Sequence, residues 1–271
     1  MSDATLVIAR RDAGVLTLTL NRPDSLNALN GPLLQQLRAA LEEAAETQDV
    51  GAVVLTGAGR AFSSGGDLRE GATSRPAGAE SSGAGGFEDW SDRLRAVMEC
   101  SRILHRMPKP TIAMVRGAAA GAGLALAAAC DLRIASESAV FTTAFVKVGF
   151  SGDFGITYFL TRLVGTARAR ELMYLSEKIA SSEALRIGLV NRVVAETELE
   201  STTATLAGQI GNGPRVAYRY MKRNLNAAEE GSLEELLDLE AQHLTRTRMT
   251  EDHKEAVAAF LQKRPAAFKG R

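Results

Sequence analysis

The chain has 271 residues, enough for one large domain or two small ones around a sizeable core. Its 32 basic and 32 acidic side chains cancel, so net charge draws it neither to nucleic acid nor to an anionic membrane surface. At 45% hydrophobic and 24% charged residues the composition is that of a globular protein, which excludes disorder over most of its length.

In chain order, residues 5–10 and 14–20 alternate in β-branched and polar side chains and predict a hairpin turning at Asp12, Ala13 and Gly14. Asn21, Arg22, Pro23 and Asp24 break the second strand. Pro32 suits the first position of a helix capped by Asn30 or Gly31, with Leu34, Leu37, Leu41 and Ala44 as its apolar stripe. Residues 50–56 read as a strand, so strand, helix and strand point to a parallel sheet. Residues 71–86 (GATSRPAGAESSGAGG) are small and polar and predict a mobile loop inserted in the domain. A helix over 90–107 and a strand over 111–115 follow. The remaining expectations are a helix over 121–129, a strand over 131–135, helices over 155–163, 167–175 and 181–187, and a strand over 189–194. Beyond that, residues 196–210, 215–228, 233–245 and 251–262 are all helical. The expected division is an α/β core over 1–195 and a helical region over 196–271.

Cys100 and Cys130 lie in apolar segments and read as reduced, buried thiols. The N-terminal residues lack the pattern of a secretory signal, and the longest apolar run, 117–130, is shorter than the roughly 20 residues of a membrane span. A soluble, cytoplasmic protein is expected. His105, His243 and His253 have no metal-ligand spacing, GxGxxG is incomplete at Leu126, and no phosphate-binding GxxxxGK[ST] occurs. Arg215, Arg219, Lys222 and Arg223 read as a solvated helix face.

Two segments do carry a chemical signal. Residues 60–68, which include Ser64, Gly65, Gly66, Asp67 and Leu68, follow one strand; residues 116–124 follow the next and open a helix. Small side chains let a ligand atom approach backbone N–H groups, and those at a helix start are also unpaired. Facing each other, the two would form an oxyanion hole.

The blocks NRPDSLNA (21–28), AFSSGGDL (61–68), KP (109–110), GAAAGAGL (117–124), CDLRIA (130–135), FTTAFVKVG (141–149), EALRIGLVNRVV (183–194) and FLQKRPAAF (260–268) resemble the enoyl-CoA hydratase/isomerase (crotonase) superfamily. The resemblance implies an α/β fold, a crotonase-like spiral of ββα turns with a C-terminal helical trimerisation region, assembled as a homotrimer or a dimer of trimers. It implies an acyl-CoA substrate, with coenzyme A entering as the thioester and no separate cofactor or metal. The thioester oxygen would sit on the N–H groups of Gly66 and Ala122, Asp67 and Leu68 would line the CoA arm, and Phe260 and Lys263 would meet its nucleotide end.

The two glutamates of the family's hydratases fall on Ala125 and Phe145, which cannot transfer protons. Asp153, in FSGDFG (150–155), matches the aspartate of the family's dienoyl-CoA and ring isomerases. Among Phe145, Phe150 and Phe154 its pKa should rise by desolvation. The competing reading makes Asp153 the cap of the following helix. The expected reaction is double-bond isomerisation with Asp153 as proton shuttle. The alternatives are a hydratase recruiting Glu80, Glu99 or Glu137, a hydrolase or dehalogenase with Asp153 as nucleophile, and a silent acyl-CoA-binding subunit.

Overall fold

The structure is a computed structural model that describes residues 4–69 and 85–271. Strands β1 (Val7–Asp12) and β2 (Val15–Leu20) pair antiparallel, and the register Asp12↔Val15 leaves a two-residue turn. Both turn residues have positive φ, +44° at Ala13 and +81° at Gly14, which matches the twist of a tight hairpin. Helix α1 (Gly31–Glu46) starts with Pro32 in its first turn, and the Asn30 side chain accepts the Leu33 N–H. Its stripe of Leu33, Leu34, Leu37, Leu41 and Ala44 is buried. Each of those leucines contributes about 2 kcal/mol by leaving water.

Strand β3 (Ala52–Gly57) lies parallel to β2, and β4 (Thr111–Val115) lies parallel to β3. Between them, helices α2 (Gly85–Val97) and α3 (Glu99–Arg106) divide at Met98 what the sequence predicts as one helix. The loop expected over 71–86 falls outside the described residues except for its last two, which open α2. Then come β5 (Ala118–Ala120), α4 (Ala122–Ala129), β6 (Leu132–Ser136) and β7 (Val140–Thr142). Helices α5 (Ile156–Val164) and α6 (Thr166–Leu175) precede β8 (Ile179–Ala180), α7 (Ser181–Arg186) and β9 (Arg192–Val194).

The main sheet has the order β1-β2-β3-β4-β6-β9, parallel from β2 onward. A second small sheet, β5-β7-β8, is absent from the sequence expectation. Its strands of two or three residues are too short to show a period of two, and β5 is all alanine. β3 is buried on both faces, and alternation sorts its side chains. Val53 and Leu55 join the core beneath α1, whereas Val54 meets Ile112, Ile134 and helix α8 (Leu199–Gly211) on the other side.

Helices α9 (Arg215–Ala228), α10 (Leu233–Arg248) and α11 (Glu251–Leu261) complete the chain. The solvated face expected on α9 is corrected at Lys222. Its ammonium is buried and donates to the carbonyls of Leu104 and Lys109 and to Asp131 Oδ2 at 2.7 Å, which ties α9 to the sheet. The alkyl stem and fully used donors make this a structural ion pair rather than a surface charge. Among the described residues, no helix is long and apolar enough to cross a membrane. Cys100 and Cys130 are free and buried, and burial pushes both thiols up to about 12.

Candidate active site

The segment after β3 runs alongside the start of the small sheet. Phe62 N–H donates to Arg116 O at 2.7 Å, Ser63 N–H to Ala118 O at 3.0 Å, and Ala120 N–H returns to Ser63 O at 3.0 Å. Two glycines permit this closeness. A Cβ on Gly123 would stand 2.6 Å from Ser63 Cβ, and one on Gly65, where φ is +96°, would stand 2.9 Å from Ala120 O. The same Gly65 position lies 3.6 Å from Ala122 N, so residues 65–66 and the start of α4 adjoin.

Gly66 is bracketed by one residue of the chain's first third. Leu29 N–H donates to Gly65 O at 2.8 Å, and Asp67 N–H donates to Leu29 O at 2.9 Å. In extended chain, successive N–H groups point to opposite sides. With its neighbours turned toward Leu29, Gly66 therefore turns its own N–H away, and among the described residues that N–H has no acceptor. Gly66 is exposed, and a Cβ there would meet nothing within 4 Å.

Ala122 opens α4 directly after Gly121 (φ +50°, ψ −126°), whose N–H donates to Thr142 O. Among the described residues no side chain caps this helix and no acceptor takes the Ala122 N–H, which as a first-turn donor has no partner within the helix. Every residue of α4 is buried, Ala125 completely. Phe145, also buried, places Cε1 3.9 Å from where a Gly121 Cβ would be. Two backbone N–H groups without an acceptor among the described residues thus lie on adjoining segments, an arrangement able to receive an oxygen that gains negative charge.

Asp153 stands at the entrance to α5, which packs against α4. Its backbone carbonyl accepts the Ile156 N–H at 3.0 Å, but Gly155 is the cap residue and no side chain caps the helix. The capping reading is thereby overturned. Asp153 Oδ1 is buried without a hydrogen-bond partner among the described residues. Burial alone pushes the carboxyl up from 3.8 to about 6. The next residue, Phe154, is buried with φ +48°, a conformation that phenylalanine seldom adopts. An orphaned carboxyl beside a strained residue opposes stability, and such departures gather at functional sites.

Ser64 is exposed and tied by its N–H to Leu26 O and by its hydroxyl to Ser25 O. The Asp67 carboxylate pairs with Arg22 at 2.9 Å, and Leu68 is exposed just beyond it. Phe260 and Lys263 lie elsewhere, exposed at the end of α11, with Lys263 at φ +53°. Sequence reasoning missed Leu29, whose two backbone bonds orient Gly66; backbone roles leave no trace in residue type. It also used Arg22 and Asn27 only as part of a block and a strand break.

Two of the other acids considered, Glu99 and Glu137, are poorly placed for chemistry. Partial burial pushes Glu99 up, but hydrogen bonds from Arg102 and Arg95 outweigh it and hold the carboxyl below its ordinary value. Glu137 is exposed in the turn after β6. Glu80 lies outside the described residues. His105 packs edge-on against Tyr158 and Phe159, and among the described residues no cluster of His, Cys, Asp and Glu can hold a metal.

A family profile described as enoyl-CoA hydratase/isomerase matches residues 10–271. A probable enoyl-CoA hydratase of Rhodobacter capsulatus is 39% identical, the match covering 95% of each chain. The 1,2-epoxyphenylacetyl-CoA isomerase of Escherichia coli is 35% identical over 98% of each. The crystal structure of an enoyl-CoA hydratase from Polaromonas superposes with a TM-score of 0.89 at 31% identity, covering 97% of this chain and 99% of the other.

Proposed function

The chain belongs to the enoyl-CoA hydratase/isomerase family, and on that premise we propose that it shifts a double bond within an acyl-CoA, with Asp153 carrying the proton. The observation that supports this most is the desolvated Asp153 carboxyl, whose buried Oδ1 has no hydrogen-bond partner among the described residues, with Ala125 and Phe145 offering no second acid. The ionised carboxylate removes a proton from the carbon next to the thioester. The electron pair moves onto the thioester oxygen, which receives the Gly66 and Ala122 N–H groups. The protonated Asp153 then returns its proton to the far carbon of the delocalised system, and the double bond comes to rest one position over. Nothing is gained or lost by the substrate, so no cofactor is consumed; coenzyme A enters only as the thioester. Each fixed donor is worth about 3 kcal/mol at the stage when charge sits on oxygen. A carboxyl near pH 6 releases its proton more readily than a water molecule and accepts one more readily than an ordinary aspartate, as a shuttle must.

A second reading, hydration, is favoured by the hydratase names among the relatives. One assay separates the two. Purified protein is incubated with 3-enoyl-, 2-enoyl- and ring-epoxide acyl-CoAs, and products are followed by mass. Isomerisation leaves mass unchanged, hydration adds one water, and hydrolysis releases free CoA. Conversion at unchanged mass is the expected result; a product heavier by water from 2-enoyl-CoA, with no isomer, refutes isomerisation.

The C-terminal helices leave Leu225, Leu233, Leu237, Leu244 and Met249 exposed. A surface of that kind is typically covered by association. We assign it to contacts between copies of this chain in a homotrimer or a dimer of trimers, and the buried reduced thiols suit a reducing cytoplasm. Sedimentation equilibrium should give a mass of three or six chains; a monomer at micromolar concentration would refute the assignment.

A further inference from the structure

We infer that Arg22 is a positioning residue for this reaction, locking the backbone pair that presents the Gly66 N–H. The inference rests on the oxyanion role proposed above for that N–H. A single guanidinium nitrogen, Nη1, donates to Ala28 O at 2.6 Å and to Asp67 Oδ2 at 2.9 Å. Ala28 immediately precedes Leu29, and Asp67 immediately follows Gly66. The two acceptors therefore lie one residue from each half of the Leu29–Gly66 bracket, and Arg22 ties those halves across its end.

Arg22 is itself anchored. Its N–H donates to Asn27 Oδ1 at 2.9 Å, and Asn27 N–H returns to Arg22 O at 2.8 Å. Asn27 is fully buried at φ +54°, a left-handed conformation that asparagine tolerates better than most residues. Its amide donates to Ala58 O at 2.9 Å and Ala61 O at 2.8 Å, which references the loop to the end of β3. A second line runs in parallel. Ser63 hydroxyl donates to Asn27 O at 2.8 Å and accepts the Gly65 N–H at 3.2 Å. The segment 22–29 thus grips 63–67 from both sides of Gly66, while the face that would meet substrate stays open.

The two side chains are only 22% and 14% exposed, so removing one partner costs some stability. The larger effect should be on rate, because an oxyanion donor acts only from the correct position, and a displacement near 1 Å can cost on the order of a hundredfold. Arg22→Met, which keeps the stem and loses the donors, should lower kcat by about tenfold or more. KM should stay within about twofold, because displacement of this donor is felt when charge develops on oxygen. The urea midpoint should fall only modestly, leaving the variant fully folded under assay conditions. Arg22→Lys should recover most of the rate, since one ammonium can serve both acceptors. Asp67→Asn should reproduce the loss with Arg22 in place, and the double variant should be no slower than the worse single one.

A direct readout is the infrared band of the thioester carbonyl in bound hexanoyl-CoA and phenylacetyl-CoA, each labelled with carbon-13 at that carbon. The native protein should lower its frequency relative to water, and Arg22→Met should lose part of that shift. An Arg22→Met protein with native kcat and native carbonyl shift overturns the inference and leaves the oxyanion reading standing. A loss of kcat that tracks a fallen urea midpoint in Arg22→Met, Arg22→Lys and Asp67→Asn alike also overturns it, because the role is then support of the fold. If neither thioester binds, or the native protein leaves the carbonyl band where water has it, the oxyanion reading falls and this inference with it.

Discussion

Asp153→Asn is expected to remove activity and to stabilise the protein in the same step. Asparagine has nearly the shape of aspartate but cannot move a proton, so the isomerisation rate should fall by about 10²- to 10⁴-fold. The stability gain follows from the carboxyl's pKa, pushed by burial from 3.8 to about 6 in the fold. A raised carboxyl is harder to ionise folded than unfolded. Its destabilising effect is absent below about pH 4, where both states hold the proton. It grows between about pH 4 and pH 6 and is complete above that range. Two pH units correspond to about 3 kcal/mol, which the partial exposure of the residue reduces to about 1–2 kcal/mol. Urea unfolding at pH 8 should place the variant above the native protein by that amount, and at pH 4 the two should coincide. The same pKa should appear in native kcat/KM, which falls below about pH 6 as the base takes up its proton. An acid limb near pH 4, or a variant destabilised at pH 8, would show that Asp153 is neither desolvated nor unpartnered.

Ala122→Pro should cost about 10²- to 10³-fold in kcat while leaving the helix in place. Proline is well accepted at the first helical position, where the missing N–H has no partner within the helix. Ala122 holds that position in α4, and Gly121 before it supplies a residue with little steric objection to a following proline. The substitution deletes one oxyanion donor and puts a ring methylene where the hydrogen was. Ala122→Gly retains the N–H and should stay within a few-fold of native. Circular dichroism and urea unfolding check that the proline variant is folded. Native kcat in that folded variant would remove Ala122 from the oxyanion site.

Much of the fold is legible in the sequence because long elements repeat one physical pattern. The α1 stripe and the alternating β2 are each marked by several side chains sorting to one face, and β4 by a run buried on both faces. The small sheet is not, because Ala118–Ala120 carries no alternation to read. The break at Met98 is also silent, since neither glycine nor proline marks it. In the site, Asp153 is visible as an acid in an aromatic-rich stretch, and burial is what raises its pKa, but the expected enclosure by Phe150 is corrected, because that side chain is exposed. The Leu29 bracket around Gly66 is invisible, because it is made of main-chain atoms that every residue possesses.

That last property has an evolutionary consequence. The proposed charge-stabilising half of the site is written in the backbone, so ordinary side-chain substitutions at Gly66 or Ala122 leave its donors present. The proton-moving half, as proposed, resides in a side chain, that of Asp153, and positions 125, 145 and 153 lie on separate segments that can change one at a time. A lineage can therefore exchange its acids and bases, and with them its reaction, while passing through intermediates that still bind and polarise the same thioester.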